Sequence, residues 1–402
     1  MTVAMIEKDK VGGTCLHRGC IPTKALLHAA EVADATRDSE QFGIKSTFEG
    51  VDIAAVTSYR ENIVAKKYKG LQSLVKARGV TTIAGEGRVV GGTTVQVGED
   101  TYRGKNLVLA TGSYSRSLPG LELGGRVITS EQALGLQFVP KKVAVLGGGV
   151  IGVEFASVWR SFGADVTIIE ALPHLVPNEE EVISKALERA FRKRGIEYSL
   201  GVRFQSVTQS DAGVVVTLEN GRTVEAELLL VAVGRGPATA NLGFEEAGIR
   251  MDRGFVLTNE RLATSVPNVY AIGDIVPGLQ LAHRSFQQGI FVAEEIAGLK
   301  PVVIEDINIP KITYSDPEVA SIGYSEARAI EKFGAEKVAT YDYSLAGNAR
   351  SEIIGTSGSI KVVRVKDGPI IGVSAIGSRV GELIGEAQLA VNWEAYPEDI
   401  AP

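Results

Sequence analysis

Apolar and polar positions alternate along the chain in a strand–helix rhythm. An apolar run from Val3 to Ile6 closed by Glu7 predicts a short strand ending in an acid. Ala25 to Val32 reads as helix, and the helical pattern is expected to continue from Val32 to Arg78. There Ile63, Val64, Leu71, Leu74 and Val75 are interleaved with Lys66, Lys67, Lys69 and Lys76. Residues 80–87 predict strand and turn. Residues 89–102 predict a small β-meander with turns at Gly91–Gly92 and Gly98, and 107–113 a buried strand ending in Ala-Thr-Gly-Ser. Lys142 to Leu146 predicts a strand, followed by a glycine turn, a helix through Phe162, and a second strand from Asp165 to Ile169 closed by Glu170. Alternation over 196–233 predicts further strands, 264–274 another, 284–297 an amphipathic helix and 381–393 a last helix. The expected class is α/β, with Rossmann-like units.

Composition narrows the partners. The 402 residues predict roughly two to four domains with ample core. A 45% hydrophobic and 22% charged composition is that of a soluble globular protein, and a net charge of −6 argues against nucleic acid. No apolar run reaches the ~20 residues of a membrane span, so no membrane partner is expected. Residues 1–11 are too short and too acidic for a signal peptide, so the expected location is the cytoplasm.

The only two cysteines, Cys15 and Cys20, stand together in Gly12-Gly13-Thr14-Cys15-Leu16-His17-Arg18-Gly19-Cys20-Ile21-Pro22-Thr23-Lys24. Two structural thiols that happen to be close remain an alternative at this point. Structural zinc is disfavoured, because it wants four N/S ligands. The helix-like run after Lys24 places the pair at or near a helix N-terminus, where the dipole lowers a thiol's pKa. A regular helix separates residues five apart by about 7.5 Å of rise, too far for a disulfide. A bridge therefore needs distorted backbone, for which Gly19 is expected to give conformational room.

The second glycine turn stands on stronger ground than a lone G-x-G-x-x-G. Gly147-Gly148-Gly149-Val150-Ile151-Gly152 follows a predicted strand, opens a predicted helix, and is followed about twenty residues on by the acid Glu170. Gly147 allows the tight turn, Gly149 lets a pyrophosphate approach the backbone, and Gly152 lets helix and strand pack closely. Glu170 would accept ribose hydroxyls and repel a 2′-phosphate, which favours NAD over NADP.

The cysteine peptide resembles the active-site peptide of the flavin-dependent pyridine nucleotide-disulfide oxidoreductases, most nearly that of their dihydrolipoamide-oxidising branch. The resemblance runs in family order along essentially the whole chain: Ala110-Thr111-Gly112-Ser113, the Gly147–Gly152 turn, Gly234-Arg235-Gly236-Pro237, Ala271-Ile272-Gly273-Asp274, Leu281-Ala282-His283, and the stretch from Ile309 to Gly323. Ala238 replaces the family's usual Asn, which is expected to affect a cap or turn and not the chemistry.

What the resemblance implies is two Rossmann-like domains, for FAD and NAD, plus an α+β C-terminal dimerisation domain. The FAD-binding domain would take residues 1–117 and 241–303, the NAD-binding domain 118–240 and the dimerisation domain 304–402. FAD would be held by Glu7, Gly12, Gly13, Thr14, Lys24, Gly87, Thr111, Gly112, Asp274 and Ala282. NAD would be held by Gly147, Gly149, Ile151, Gly152, Glu170, Val202 and Gly234. The catalytic set would be Cys15 as interchange thiol, Cys20 facing the flavin, Lys24 near flavin N5, and Glu154 pairing with Lys24. The implied partners are a second copy, forming a homodimer, and the lipoyl domain of a 2-oxo acid dehydrogenase acyltransferase, with NAD⁺ as final acceptor.

Two family segments do not lie within the 402 residues: the opening strand, glycine turn and helix that bind the FAD pyrophosphate, and the late His-Pro-His-Pro-Thr segment that supplies the acid–base. The first FAD strand and helix are therefore expected to be missing, the chain is expected to be a partial sequence, and weak FAD binding with negligible turnover is expected of these residues alone. None of His17, His28, His174 and His283 is assigned as that base. The alternatives are a glutathione- or mercuric-type reductase, against which Glu170 and Ile21-Pro22 argue, and an inactive nucleotide-binding pseudoenzyme.

Overall fold

The computed structural model describes residues 2–401. They divide into two units, each built from distant parts of the chain. The first gathers the residues up to Pro22, Arg60–Ser115 and Arg235–Asp306. The second gathers Thr23–Tyr59, Arg116–Gly234 and the residues from Ile307 on.

In the first unit, strand Ala4–Glu7 pairs in parallel with Thr81–Ala84, and Leu107–Leu109 with Val269–Ala271. Gly87–Gly91, Thr94–Val97 and Asp100–Arg103 form the expected antiparallel meander. Ser113–Ser115 pairs antiparallel with Arg235–Pro237. The core is small, built on Val89, Leu109, Phe244, Val256, Val269 and Ile275, with Ile6 packed against it.

The second unit holds a five-stranded parallel sheet, in the order Glu197–Leu200, Asp165–Glu170, Lys142–Leu146, Leu228–Val231, Val127–Thr129. Its central strands are buried on both faces, which explains their continuous Val/Leu/Ile runs. Helix Val150–Ser161 follows the glycine turn and buries Val153, Phe155 and Val158. Helix Glu181–Lys193 went unpredicted, although Ile183, Leu187 and Phe191 recur every four residues and are fully buried. From Lys311, five antiparallel strands form a second sheet, against which helix Val380–Asn392 packs.

The continuous helix expected over 32–78 is corrected to two helices, Cys20–Arg37 and Ile53–Ala77. Between them Gly43 and Gly50 take positive φ, of 75° and 134°. Asp52 restarts the helix by accepting the amides of Ala54 and Ala55 on Oδ1.

Candidate functional site

The cysteine-bearing part of the peptide, up to Pro22, lies in the first unit and forms a broken helix. Cys15 lies, half-buried, in the one-turn helix Gly13–His17. Arg18 ends that turn with φ −141°, its amide donating to the Thr14 carbonyl, and the exposed Cys20 opens the next helix. The backbone is thus interrupted between the thiols. The expected reason is corrected, because Gly19 is not among the positive-φ glycines. Its missing side chain serves proximity instead: a Cβ there would stand 3.1 Å from the Thr14 carbonyl oxygen. Gly12 does take positive φ, 111°, and caps the turn over the buried Leu16. Gly13, at φ 59°, has open space where its side chain would be.

Around this peptide, Glu7 ends its strand and accepts the Asp9 amide on Oε1 at 2.9 Å. Asp9 in turn pairs with Arg18. Gly87 is a packing glycine whose Cβ would press on Val95 and Ile6. Elsewhere in the unit, Thr111 donates to the Ala238 carbonyl at 2.7 Å, and the Gly112 carbonyl accepts the Ala238 amide at 2.8 Å. Position 238 therefore works through its backbone, and the departure from Asn costs neither bond. Gly112, at φ 75°, leaves open space like Gly13. Asp274 accepts the Ser113 hydroxyl at 2.5 Å, and Ser113 accepts Arg235 Nε at 2.7 Å. Ala282 is the first residue of helix Ala282–Ile296, where unpaired amides gather. Two backbone openings, a carboxylate held by a hydroxyl, and a helix N-terminus fit a dinucleotide such as FAD.

In the second unit each turn glycine has its own reason. Gly147 takes φ 112°, and a Cβ would lie 2.4 Å from the Ala232 carbonyl oxygen. At Gly152 a Cβ would lie 1.9 Å from the Gly147 oxygen, so only glycine lets the helix approach the strand. At Gly149, the helix N-cap, nothing stands within 4 Å. That opening beside the first helical amides is what an anion needs. Ile151 lies half-buried in the first turn of this helix. Glu170 Oε2 accepts the Gly148 amide at 2.6 Å, and Oε1 the Leu172 amide at 2.8 Å. Val202 follows the neighbouring strand and donates its amide to the Glu170 carbonyl at 3.2 Å. Gly234, at φ 105°, is open where a side chain would stand. These residues fit NAD.

The same unit contains an ion pair between the half-buried Lys24 and the buried Glu154. Lys24 Nζ donates to Glu154 Oε1 at 2.8 Å and to Oε2 at 3.0 Å, and the Glu154 side chain is only 4% exposed. Glu154 Oε1 also accepts the Tyr314 amide at 2.9 Å. The Tyr314 ring lies 4.7 Å from Lys24 Nζ, a cation–π distance. Burial raises the Tyr314 phenol above its ordinary value, against the opposing pull of Lys24. Tyr314, Ser113 and Arg235 were missed as site residues. Each lies in a stretch that resembles the family, but its partner lies more than a hundred positions away, so the pairing leaves no local pattern.

The chain is similar to known proteins along nearly its whole length. Residues 1–289 match the family described as pyridine nucleotide-disulphide oxidoreductase, and residues 309–402 its dimerisation domain. The chain is 38% identical to a dihydrolipoyl dehydrogenase of Geobacillus stearothermophilus, over 99% of this chain and 86% of that protein. It is 37% identical to one of Bacillus subtilis, over 99% and 87%. Among solved structures, LpdA from Mycobacterium tuberculosis matches with a TM-score of 0.90 at 26% identity, over 98% of this chain and 88% of that one. The HOCl-induced flavoprotein disulfide reductase RclA from Escherichia coli matches at 0.86 and 26%, over 98% and 88%.

Proposed function

Because the chain belongs to the pyridine nucleotide-disulphide oxidoreductase family, we propose that it works as a dihydrolipoyl dehydrogenase. The observation that carries the reading is the broken helix. It carries Cys15 within a one-turn helix and Cys20 at the start of the next helix, with no other cysteine in the chain to compete.

Cys15 acts as the interchange thiol. A thiolate of dihydrolipoamide attacks Cys15 of the Cys15–Cys20 disulfide, forming a mixed disulfide and releasing Cys20 as thiolate. The second lipoyl thiol then displaces Cys15 and closes the lipoamide disulfide. Two electrons thereby pass from substrate to the protein dithiol. Bound FAD supplies a two-electron carrier between that dithiol and NAD⁺. Glu7, Gly12, Gly13, Thr14, Thr111, Gly112, Asp274 and Ala282 are the residues proposed to hold it, with Gly87 shaping the sheet behind them. Lys24, held by Glu154, contributes a fixed positive charge that favours reduced flavin. Gly147, Gly149, Ile151, Gly152, Val202 and Gly234 hold NAD⁺, and Glu170 selects it over NADP by accepting ribose hydroxyls.

The proposed assembly is a homodimer serving the lipoyl domain of a 2-oxo acid dehydrogenase acyltransferase. Leu383 and Leu389 in helix Val380–Asn392 and Trp393 just after it are exposed, which supports pairing through that region. No helix among the described residues is long and apolar enough to cross a membrane. The proposed location is the cytoplasm, where a thiol pair can cycle.

Since these residues alone are expected to turn over negligibly, the test is steady-state turnover of the FAD-loaded protein with the family's opening FAD segment and late acid–base segment in place, using dihydrolipoamide and NAD⁺ beside oxidised glutathione and NADPH. NADH formation that depends on dihydrolipoamide, and that Cys20→Ser abolishes, is the expected result. Preferred use of glutathione with NADPH, or full turnover by the Cys20→Ser variant, would overturn the proposal.

A further inference from the structure

Resting on the reading of Cys15 and Cys20 as the redox pair, we infer that His17 is a positioning residue for it. The helix that carries Cys15 spans only Gly13–His17. Five residues do not hold a helix by themselves, so contacts outside the turn must fix its direction. The turn has no side-chain cap at its start. Two such contacts are the burial of Leu16, 7% exposed, and the bond made by His17.

His17 Nε2 lies 2.9 Å from the carbonyl oxygen of Val11, six residues back. A carbonyl oxygen only accepts, so Nε2 carries the hydrogen and donates it. The bond spans Gly12 and Gly13, the two positive-φ residues that lead into the turn. The imidazole also meets the Tyr68 ring edge-on, with centroids 4.9 Å apart and planes at 80°. Tyr68 belongs to the long helix Ile53–Ala77, which anchors the ring.

The location of this clamp matters. His17 is the last residue of the Cys15 turn, and Arg18 and Gly19 alone separate it from Cys20. The restraint therefore acts at the joint that sets how one sulfur is presented to the other. Disulfide geometry is narrow in distance and dihedral. A held joint raises the effective concentration of one thiol at the other and favours the disulfide. A loose joint makes the disulfide easier to reduce.

The test uses the FAD-loaded protein and three variants, His17→Leu, His17→Asn and His17→Gln. The dithiol–disulfide equilibrium is read by alkylation and mass after poising against lipoamide couples. In His17→Leu and His17→Asn, which cannot reach the Val11 carbonyl, the equilibrium should move at least tenfold towards dithiol, about 30 mV for a two-electron couple. Their kcat with dihydrolipoamide should fall while KM for NAD⁺ stays unchanged. His17→Gln keeps an amide donor of similar reach and should recover most of the equilibrium, which mere packing loss would not predict. An unshifted equilibrium in His17→Asn, or a His17→Gln as impaired as His17→Leu, overturns the inference while leaving the redox pair standing. If the unsubstituted protein forms no Cys15–Cys20 disulfide at all, both readings fall together.

Discussion

Glu7 and Glu170 make the same local turn in very different settings. Each is the last residue of a parallel strand, and each accepts the amide two residues on through Oε1. Glu170 lies in a five-stranded sheet with strands hydrogen-bonded on both sides, and its second oxygen reaches the Gly148 amide. Glu7 ends a strand in a two-stranded sheet whose residues are half-buried or exposed. The difference teaches where precision comes from in each unit. In the second, a buried sheet core fixes the backbone, and glycines shape the nucleotide turn. In the first, side-chain hydrogen bonds fix the candidate cofactor residues: Arg235 to Ser113 to Asp274, and Thr111 to Ala238. Substitutions that add bulk should therefore hurt the second unit most, and substitutions that remove polar groups the first.

The largest effect is expected at Gly152. A valine there would drive carbon into the Gly147 carbonyl, and the dense sheet leaves no room to relax. Gly152→Val should destabilise the second unit by about 3 kcal/mol and abolish NAD⁺ binding, read by thermal melting and by titration calorimetry. Gly149→Ala, in open space, should melt within about 1 kcal/mol of the parent, yet bind NAD⁺ about tenfold more weakly, because the methyl fills the anion approach. Equal losses at the two positions would break the comparison.

A smaller effect is expected in the first unit. Ser113→Ala removes the hydroxyl that donates to Asp274 and accepts from Arg235, leaving a carboxylate and a guanidinium each short of a partner. About 2 kcal/mol is expected from losing hydrogen bonds to charged groups. The readout is FAD retention after gel filtration, which should drop while NAD⁺ affinity holds. If NAD⁺ affinity falls as far as FAD retention, the units do not depend on separate devices.

The contrast also explains what the sequence could disclose. The NAD-type turn was legible residue by residue, because its glycine roles are set by backbone within one strand–turn–helix. Gly147, Gly149 and Gly152 each meet the steric condition assigned to them. The candidate FAD residues could be named only through family resemblance, since a residue such as Asp274 is held by Ser113 and, through it, Arg235 from distant segments. The break between the thiols was legible from disulfide geometry, whereas the reason for Gly19 was not. A close approach to the Thr14 carbonyl leaves no mark in composition. The gap between Arg37 and Ile53 was hidden because the apolar spacing on its two sides keeps a helical look, while Gly43, Gly50 and the Asp52 cap set the actual boundaries.

The smallest effect tests the second unit's own side-chain device. Tyr314 acts on the Lys24–Glu154 pair in two ways: its amide bonds Glu154, and its ring faces Lys24. The amide survives any substitution but proline, so only the ring is at stake. Tyr314→Leu should cost about 0.5–1 kcal/mol, the range of a partly exposed cation–π contact, and Tyr314→Phe should cost less because it keeps the π face. The raised phenol pKa implies that the ring stays neutral throughout the ordinary assay range, so the Phe variant should track the parent from pH 6 to about 9. Denaturant unfolding of the three proteins reads the difference. A Leu variant as stable as the Phe variant would mean that Lys24 is held by Glu154 alone. The second unit would then rely on one half-buried ion pair at this point, where the first relies on a chain from Arg235 through Ser113 to Asp274.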